Sequence, residues 1–211
     1  MNNAEPVADG RATRWEKHNT QRRRALVEGA VKAIRQHGPG VGMDEIAAMS
    51  GTSKTVLYRH FGDKAGLYQA VIDSVHDFIL RKLPLDDAEH LDPVELVSTV
   101  ADAYLAVVER DRNLYFFVAS RPTGETPTSD PVGYITTRIG DRVAEAMKAW
   151  LRREGLSEDP ANIWAHGAVG YIWAVADRWI VTNLRRPRAD VVAYINQFFA
   201  PAFTAQKNTK E

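Results

Sequence analysis

Met43-Asp44-Glu45-Ile46-Ala47-Ala48-Met49-Ser50-Gly51-Thr52-Ser53-Lys54-Thr55-Val56-Leu57-Tyr58-Arg59-His60-Phe61-Gly62-Asp63-Lys64 is the stretch that decides the fold. It reads as helix-turn-helix. Ile46, Ala47 and Met49 give a short first helix its apolar stripe, and Gly51 sits where that helix must end, because glycine accepts the left-handed conformation of a tight turn. Ser53 opens the second helix, its hydroxyl placed to accept from backbone N–H groups of the first turn. Leu57 and Phe61, four apart, face inward. Lys54, Thr55, Tyr58, Arg59 and His60 are left outside, a cationic, donor-rich, aromatic face of the size that enters a DNA major groove.

These residues resemble the tetracycline-repressor (TetR) family of bacterial transcriptional regulators. Ile46-Ala47, Gly51-Thr52-Ser53-Lys54, Leu57-Tyr58-Arg59-His60-Phe61 and Lys64 fall in the family's order without a gap, and the motif resemblance covers roughly residues 20 to 70. Gly42 departs from the capping threonine usual there, which weakens the cap by roughly a few tenths of a kcal/mol. Thr52 departs from a small aliphatic residue. The resemblance implies that Tyr58 and Lys64 meet phosphates, that the chain dimerises on double-stranded operator DNA, and that the remainder holds an effector pocket.

Within the motif, Lys54 and Thr55 are placed to reach base edges, where an ammonium donates to guanine acceptors and threonine offers a hydroxyl and a methyl. Arg59 and His60, one turn on, serve a base or a phosphate. Lys64 sits in the first turn of the next helix, where its charge and the helix dipole both favour an anion. Ahead of the motif, Leu26, Ala30, Ala33 and Ile34 mark a helix over residues 20–36, stopped by His37-Gly38-Pro39-Gly40. Arg22, Arg23 and Arg24 oppose the dipole at its start, and phosphate contact rationalises them better than a solvated face does. Residues 1–18 read as a flexible basic arm, either laid along DNA through Arg11, Arg14, Lys17 and His18 or merely solubilising. The helix-turn-helix domain then spans 19–64, and 65–211 form an effector-binding and dimerisation domain.

Composition agrees. A hydrophobic share of 45% in 211 residues suffices for a sizeable core, and the absence of cysteine excludes disulfides and thiolate metal sites. Net charge is zero, from 27 basic and 27 acidic residues, which argues against a general nucleic-acid binder. The charges are nevertheless segregated: residues 11–35 carry eight Lys/Arg against Glu16 and Glu28, whereas 83–111 carry eight acids against Arg110. No apolar run is long enough for a membrane span and no signal-peptide core is present, so the expected location is cytoplasmic.

The rest reads as helices, making the fold class all-α. Leu67, Val71, Val75, Phe78 and Ile79 form the stripe of a helix from Asp63 to about Leu83, with His76 and Asp77 expected to face solvent. After an acidic loop, Asp92-Pro93 reads as cap and first position of a helix ending near Asp111. Residues 112–120 are too apolar for a surface loop, 121–131 form a mobile connection with three prolines, and 132–154 form an amphipathic helix. Residues 160–183 and 188–205 are apolar nearly all round. Burial against a second copy is therefore expected, through Trp164, Ala168, Tyr171, Val175, Val192, Ile195 and Phe199, with Gly167, Gly170 and Ala174 allowing close approach.

Phe78, Tyr104, Tyr115, Phe116, Phe117, Tyr134 and Trp150 are more aromatic bulk than a tight bundle readily packs. They suggest an apolar pocket for a small hydrophobic effector, uncharged or singly anionic, with Arg121 or His166 orienting its polar end. An enzyme is the rival class. No catalytic residue is assigned: there is no phosphate-cradling glycine loop, no His-Glu-x-x-His and no glycine-flanked serine, and the six histidines lack metal-ligand spacing. His166 reads otherwise as a satisfied core histidine, and Asp177-Arg178 as a structural ion pair. No cofactor and no metal is expected. The reading is a homodimeric ligand-responsive repressor; a DNA-binding regulator without an effector is the alternative.

Overall fold

A computed structural model describes residues 10–86, 88–119, 131–183 and 185–208, the side chains of 10–14, 16, 131 and 204–208 excepted. Among the described residues it is all-α, with no strand. The chain divides into two compact units, Met1–Ser74 and Val75–Glu211.

The first unit holds α1 (Gly10–His37), α2 (Met43–Met49), α3 (Lys54–Phe61) and the start of α4 (Lys64–Lys82). Its core is Leu26, Ala30, Ala33 and Ile34 of α1, Ile46 and Ala47 of α2, Leu57 and Phe61 of α3, and Leu67 and Val71 of α4. The helix expected from residue 20 begins at Gly10, so residues 10–18 of the expected arm are helical; residues 1–9 lie outside the described residues. No proline or glycine stands between Gly10 and Gly29 to stop the helix from extending.

Each turn of the motif has a local cause. α2 starts at Gly42 without a side-chain cap. It ends as Gly51 takes a φ of 59° and the Thr52 N–H reaches back to the Ala47 carbonyl at 3.0 Å. The Ser53 hydroxyl accepts from Val56 N–H at 3.4 Å. α3 ends at Gly62, with a φ of 81°. Asp63 then accepts from Gly66 N–H at 2.7 Å, opening α4. Gly66 is required by packing, because a Cβ there would lie 2.2 Å from the Phe61 carbonyl oxygen. The Tyr68 hydroxyl donates to the Val41 carbonyl at 2.9 Å, which ties the first turns of α4 to this unit.

The second unit holds the rest of α4, α5 (Pro93–Arg110), α6 (Arg112–Ala119), α7 (Pro131–Arg153), α8 (Ala161–Val181) and α9 (Arg188–Asn208). Asp92 caps α5 by accepting from Val94 and Glu95 N–H at 2.9 and 3.0 Å, and Glu95 returns the bond to Asp92 N–H, a complete capping box. The apolar run 112–119 is α6. Arg112, its first residue, donates to the Ile180 carbonyl at 3.1 Å and to the Asn183 side chain at 2.7 Å, closing the end of α8. α7 and α8 pack closely at Gly140, where a Cβ would meet the His166 ring at 2.6 Å. His76 is not at the surface: it is 1% exposed and stacks on Tyr134 at 5.6 Å, because its position on α4 points toward α7. Asp77 is exposed as expected, 3.8 Å from Arg138. No described helix is long and apolar enough to cross a membrane.

Candidate nucleic-acid interface and apolar cavity

With Leu57 and Phe61 turned inward, α3 leaves Ser53, Lys54, Thr55, Tyr58 and Arg59 exposed and His60 partly so. Two turns of helix thus carry an ammonium, two hydroxyl donors and a guanidinium on one face, which suits base edges flanked by phosphates. Lys54 is already engaged: its ammonium lies 3.0 Å from an Asp44 carboxylate oxygen, and this hydrogen bond and charge raise its pKa. An exposed pair of this kind is worth little on its own, so it orients Lys54 more than it holds it from DNA.

The three arginines of α1 take different parts. Arg22 is exposed, and Arg24 pairs with Glu28 at 3.2 Å. Arg23, expected at phosphate, donates to the His60 carbonyl at the end of α3 and lays its guanidinium 4.3 Å from the centre of the Phe61 ring. It fastens the C-terminal turn of α3 to α1. Burial, then the positive charges of Arg59, Arg22 and Arg23, lower the pKa of His60. Lys64, exposed at the start of α4, has its ammonium 5.1 Å from the Tyr68 ring.

In the second unit, an apolar cavity of about 40 Å³, partly open to solvent, lies among α4, α5, α6, α7 and α8. Phe78, Tyr104 and Tyr115 line it as expected, joined by Val107, Val118 and Trp173 among others. A smaller space of about 10 Å³ lies beyond Tyr104, Ile135 and Trp173, which border both. The other expected lining residues stand elsewhere. Trp150 is fully buried, Phe117 is buried, and Phe116 packs edge-on against Tyr115 at 5.7 Å. Tyr134 is half exposed over His76, with Arg138 on its ring. His166 is held by the Asn162 carbonyl at 2.9 Å and by Asp141 at 3.4 Å, so it is engaged structurally and orients nothing in the cavity. Arg121 lies outside the described residues.

Trp173 lies within the stretch 160–183, whose all-round apolarity does not single it out as a lining residue; its spacing of four from Asp177 is the one signal the sequence carries. Asp177 and Arg178 form no pair with each other. Adjacent helical residues diverge, Arg178 is exposed, and Asp177 instead accepts the Tyr115 hydroxyl at 2.9 Å. Burial first, then Asp177, pushes the phenol pKa values of both Tyr104 and Tyr115 well above the ordinary range, so both hydroxyls stay protonated.

Of the residues expected at a dimer face, Ala168 and Ile195 are enclosed in the chain's own core, while Trp164, Tyr171, Val175, Val192 and Phe199 are half-buried. Exposed apolar side chains on these helices are Ile163, 78% exposed, and Val181 on α8, and Tyr194 and Phe198, the latter 63% exposed, on α9. Gly167 and Gly170 share the open face with Ile163, each with no atom within 4 Å of a would-be Cβ. Phe198 stacks on Tyr171 at 4.8 Å, joining the two helices' exposed sides.

Comparison with known proteins agrees with this geometry. Residues 26–71 match the profile of bacterial regulatory proteins of the tetR family, and residues 84–211 that of the tetracyclin repressor-like C-terminal domain. The chain is 31% identical over 188 residues to an uncharacterised HTH-type transcriptional regulator of Mycobacterium tuberculosis, covering 89% of this chain and 79% of that protein. It is 28% identical over 169 residues to the HTH-type transcriptional activator FasR of Mycolicibacterium smegmatis, covering 79% and 75%. Among solved structures, the regulator FadR from Bacillus subtilis in complex with stearoyl-CoA superposes with a TM-score of 0.65 at 13% identity, over 82% of this chain and 95% of that one.

Proposed function

Since this chain belongs to the tetR family of bacterial regulatory proteins, a family of DNA-binding transcriptional regulators and not of enzymes, we propose that it is a homodimeric repressor released from a palindromic operator by a small hydrophobic effector. The observation that carries this reading is the cavity walled by Val75, Phe78 and Ile79 of α4. The same helix begins at Lys64 beside the recognition helix, so a molecule that displaces its middle acts on an element that also meets DNA.

In this reading Lys54 and Thr55 read bases, while Arg22, Tyr58, Arg59, His60 and Lys64 hold phosphates. The apolar walls of the cavity favour a lipid-like or aromatic molecule over a sugar or an ion. FadR from Bacillus subtilis was solved with stearoyl-CoA, which supports long apolar ligands for this architecture. Dimerisation rests on the exposed Ile163, Tyr194 and Phe198 beside the open glycines of α8, a face that two copies can bury together.

The test begins with selection of bound duplexes from random DNA and a search for hydrophobic compounds that raise the melting temperature. Operator binding should fall steeply with salt. Lys54→Ala should also relax preference at one position per half-site by about 1–3 kcal/mol, whereas Lys64→Ala should weaken all sequences alike. Compounds that stabilise the protein yet leave operator affinity unchanged would overturn the effector reading.

A further inference from the structure

On α1, every described side chain from Trp15 to Ala25 is exposed, and Leu26 is the first buried residue. This stretch is sustained by the packed part of the helix behind it and buries nothing itself. Its charge is one-sided, with Lys17, Arg22, Arg23 and Arg24 against Glu16 alone. Arg23 and Arg24 are spent within the chain, on the His60 carbonyl and on Glu28, whereas among the described residues no acid pairs with Lys17 or Arg22. Trp15 is 70% exposed, although tryptophan is a side chain that folding usually covers. It stands eleven residues before Leu26 and seven before Arg22, so all three share the stripe of α1 that buries Ala30 and Ala33 further along. Arg23, next to that stripe, donates to the His60 carbonyl and lies over Phe61, which holds α1 against the C-terminal end of α3. After burial itself, the charges that lower the His60 pKa are Arg59 on α3 and then Arg22 and Arg23 on α1, so the two helices share one cationic edge.

We propose that residues 15–25 of α1 are a second DNA contact, in which Lys17 and His18 meet phosphates outside the half-site read by α3 and the Trp15 ring lies against the sugar edge between them. Trp15 is about 10 Å along the helix from Arg22, the axial rise of roughly three base pairs, so the contact lengthens the footprint beyond the recognition helix. Charge selects the partner. Phosphates take ammonium and imidazole donors, and an indole offers an N–H on an apolar ring that suits a sugar. A second copy of the same cationic run would be repelled. The proposal rests on the reading of α3 as the recognition helix, and it puts a helix with a tryptophan on its face where the sequence suggested a flexible arm.

The experiment uses the full-length protein and two duplexes carrying the selected operator, one trimmed at the outer edge of each half-site and one extended on both sides. The extended duplex should bind at least about tenfold tighter, because it restores the outer phosphates. Trp15→Ala combined with Lys17→Ala should abolish that gain and leave the trimmed duplex bound as before; both positions are exposed and alanine favours helix, so the melting curve should not move. Lys17→Ala alone should lower the salt slope by about one on the extended duplex only. The other four tryptophans, at 150, 164, 173 and 179, lie in the second unit, so wild-type emission minus that of Trp15→Phe isolates Trp15, and the extended duplex should change it. Equal affinity for the two duplexes, or a gain that survives the double variant, overturns the proposal while leaving α3 as the DNA reader. Failure to bind either duplex overturns both. A Trp15 signal that answers to vesicles of phosphatidylglycerol and not to duplex overturns it in favour of a lipid surface.

Discussion

Arg23 and Arg22 are neighbours in sequence with different expected effects. Arg23 holds the His60 carbonyl and the Phe61 ring, so Arg23→Ala should weaken specific operator binding by about 1 kcal/mol, the scale of one charge-assisted hydrogen bond at the surface, and leave the salt dependence unchanged. Arg22→Ala should lower the slope of log affinity against log salt by about one. Anisotropy titrations over a salt series separate them, and a reduced slope in the Arg23 variant would make it a phosphate contact after all. His60 gives a pH test. Its pKa is lowered, by burial and then by Arg59, Arg22 and Arg23, so folding favours the neutral ring. That contribution to stability is fully present above the ordinary histidine range and is lost as pH falls below it. NMR titration should place the imidazole below its ordinary value, and Arg59→Ala should move it upward part of the way; no movement would rule out Arg59 as a cause. At this scale the types were legible and the partners were not. Lys54 reads as a cation on the recognition face, but its bond to Asp44, ten residues earlier, depends on how α2 and α3 cross.

The elements themselves were largely legible, because their signals are local. Ser53, Asp92 and the glycines at 51 and 155 mark ends that the structure places there, the last with a φ of 66°. The start of α1 was missed because nothing in the sequence forbids a helix from running on past its packed part. Which faces of α8 and α9 are used inside the chain was less legible, since both helices are apolar nearly all round and periodicity cannot divide core from partner. The structure assigns Ala168 and Ile195 to the chain's own core and leaves Ile163, Phe198, Gly167 and Gly170 open. Gly170→Ala therefore has a sign that depends on dimerisation. In an isolated helix it should stabilise by roughly 0.5–1 kcal/mol, but in a dimer packed through this face it should weaken association. Light scattering on Gly170→Ala and on Phe198→Glu should show dissociation in both, and a folded, undiminished dimer from Phe198→Glu would place the interface elsewhere.

For the molecule as a whole, aromatic content pointed to an apolar cavity in the second unit, but not to its walls. Trp150 and Phe117 are as aromatic as Trp173 and Tyr104, and only the crossing of α5, α6, α7 and α8 decides which of them border space and which fill it. Two compact units linked by α4 make coupling between ligand and DNA a matter of free energy. To weaken operator binding tenfold, an effector must prefer the DNA-free conformation by about 1.4 kcal/mol, and the operator must then weaken effector binding by the same factor. Reciprocity of this kind distinguishes a true effector from a compound that strips DNA by damaging the protein. The most direct measurement is the affinity of a stabilising hydrophobic ligand by calorimetry, with and without saturating operator duplex, beside operator affinity with and without saturating ligand. A repressor of the proposed kind gives two weakenings equal within error and both near tenfold or more; ligand affinity that is indifferent to operator would contradict it.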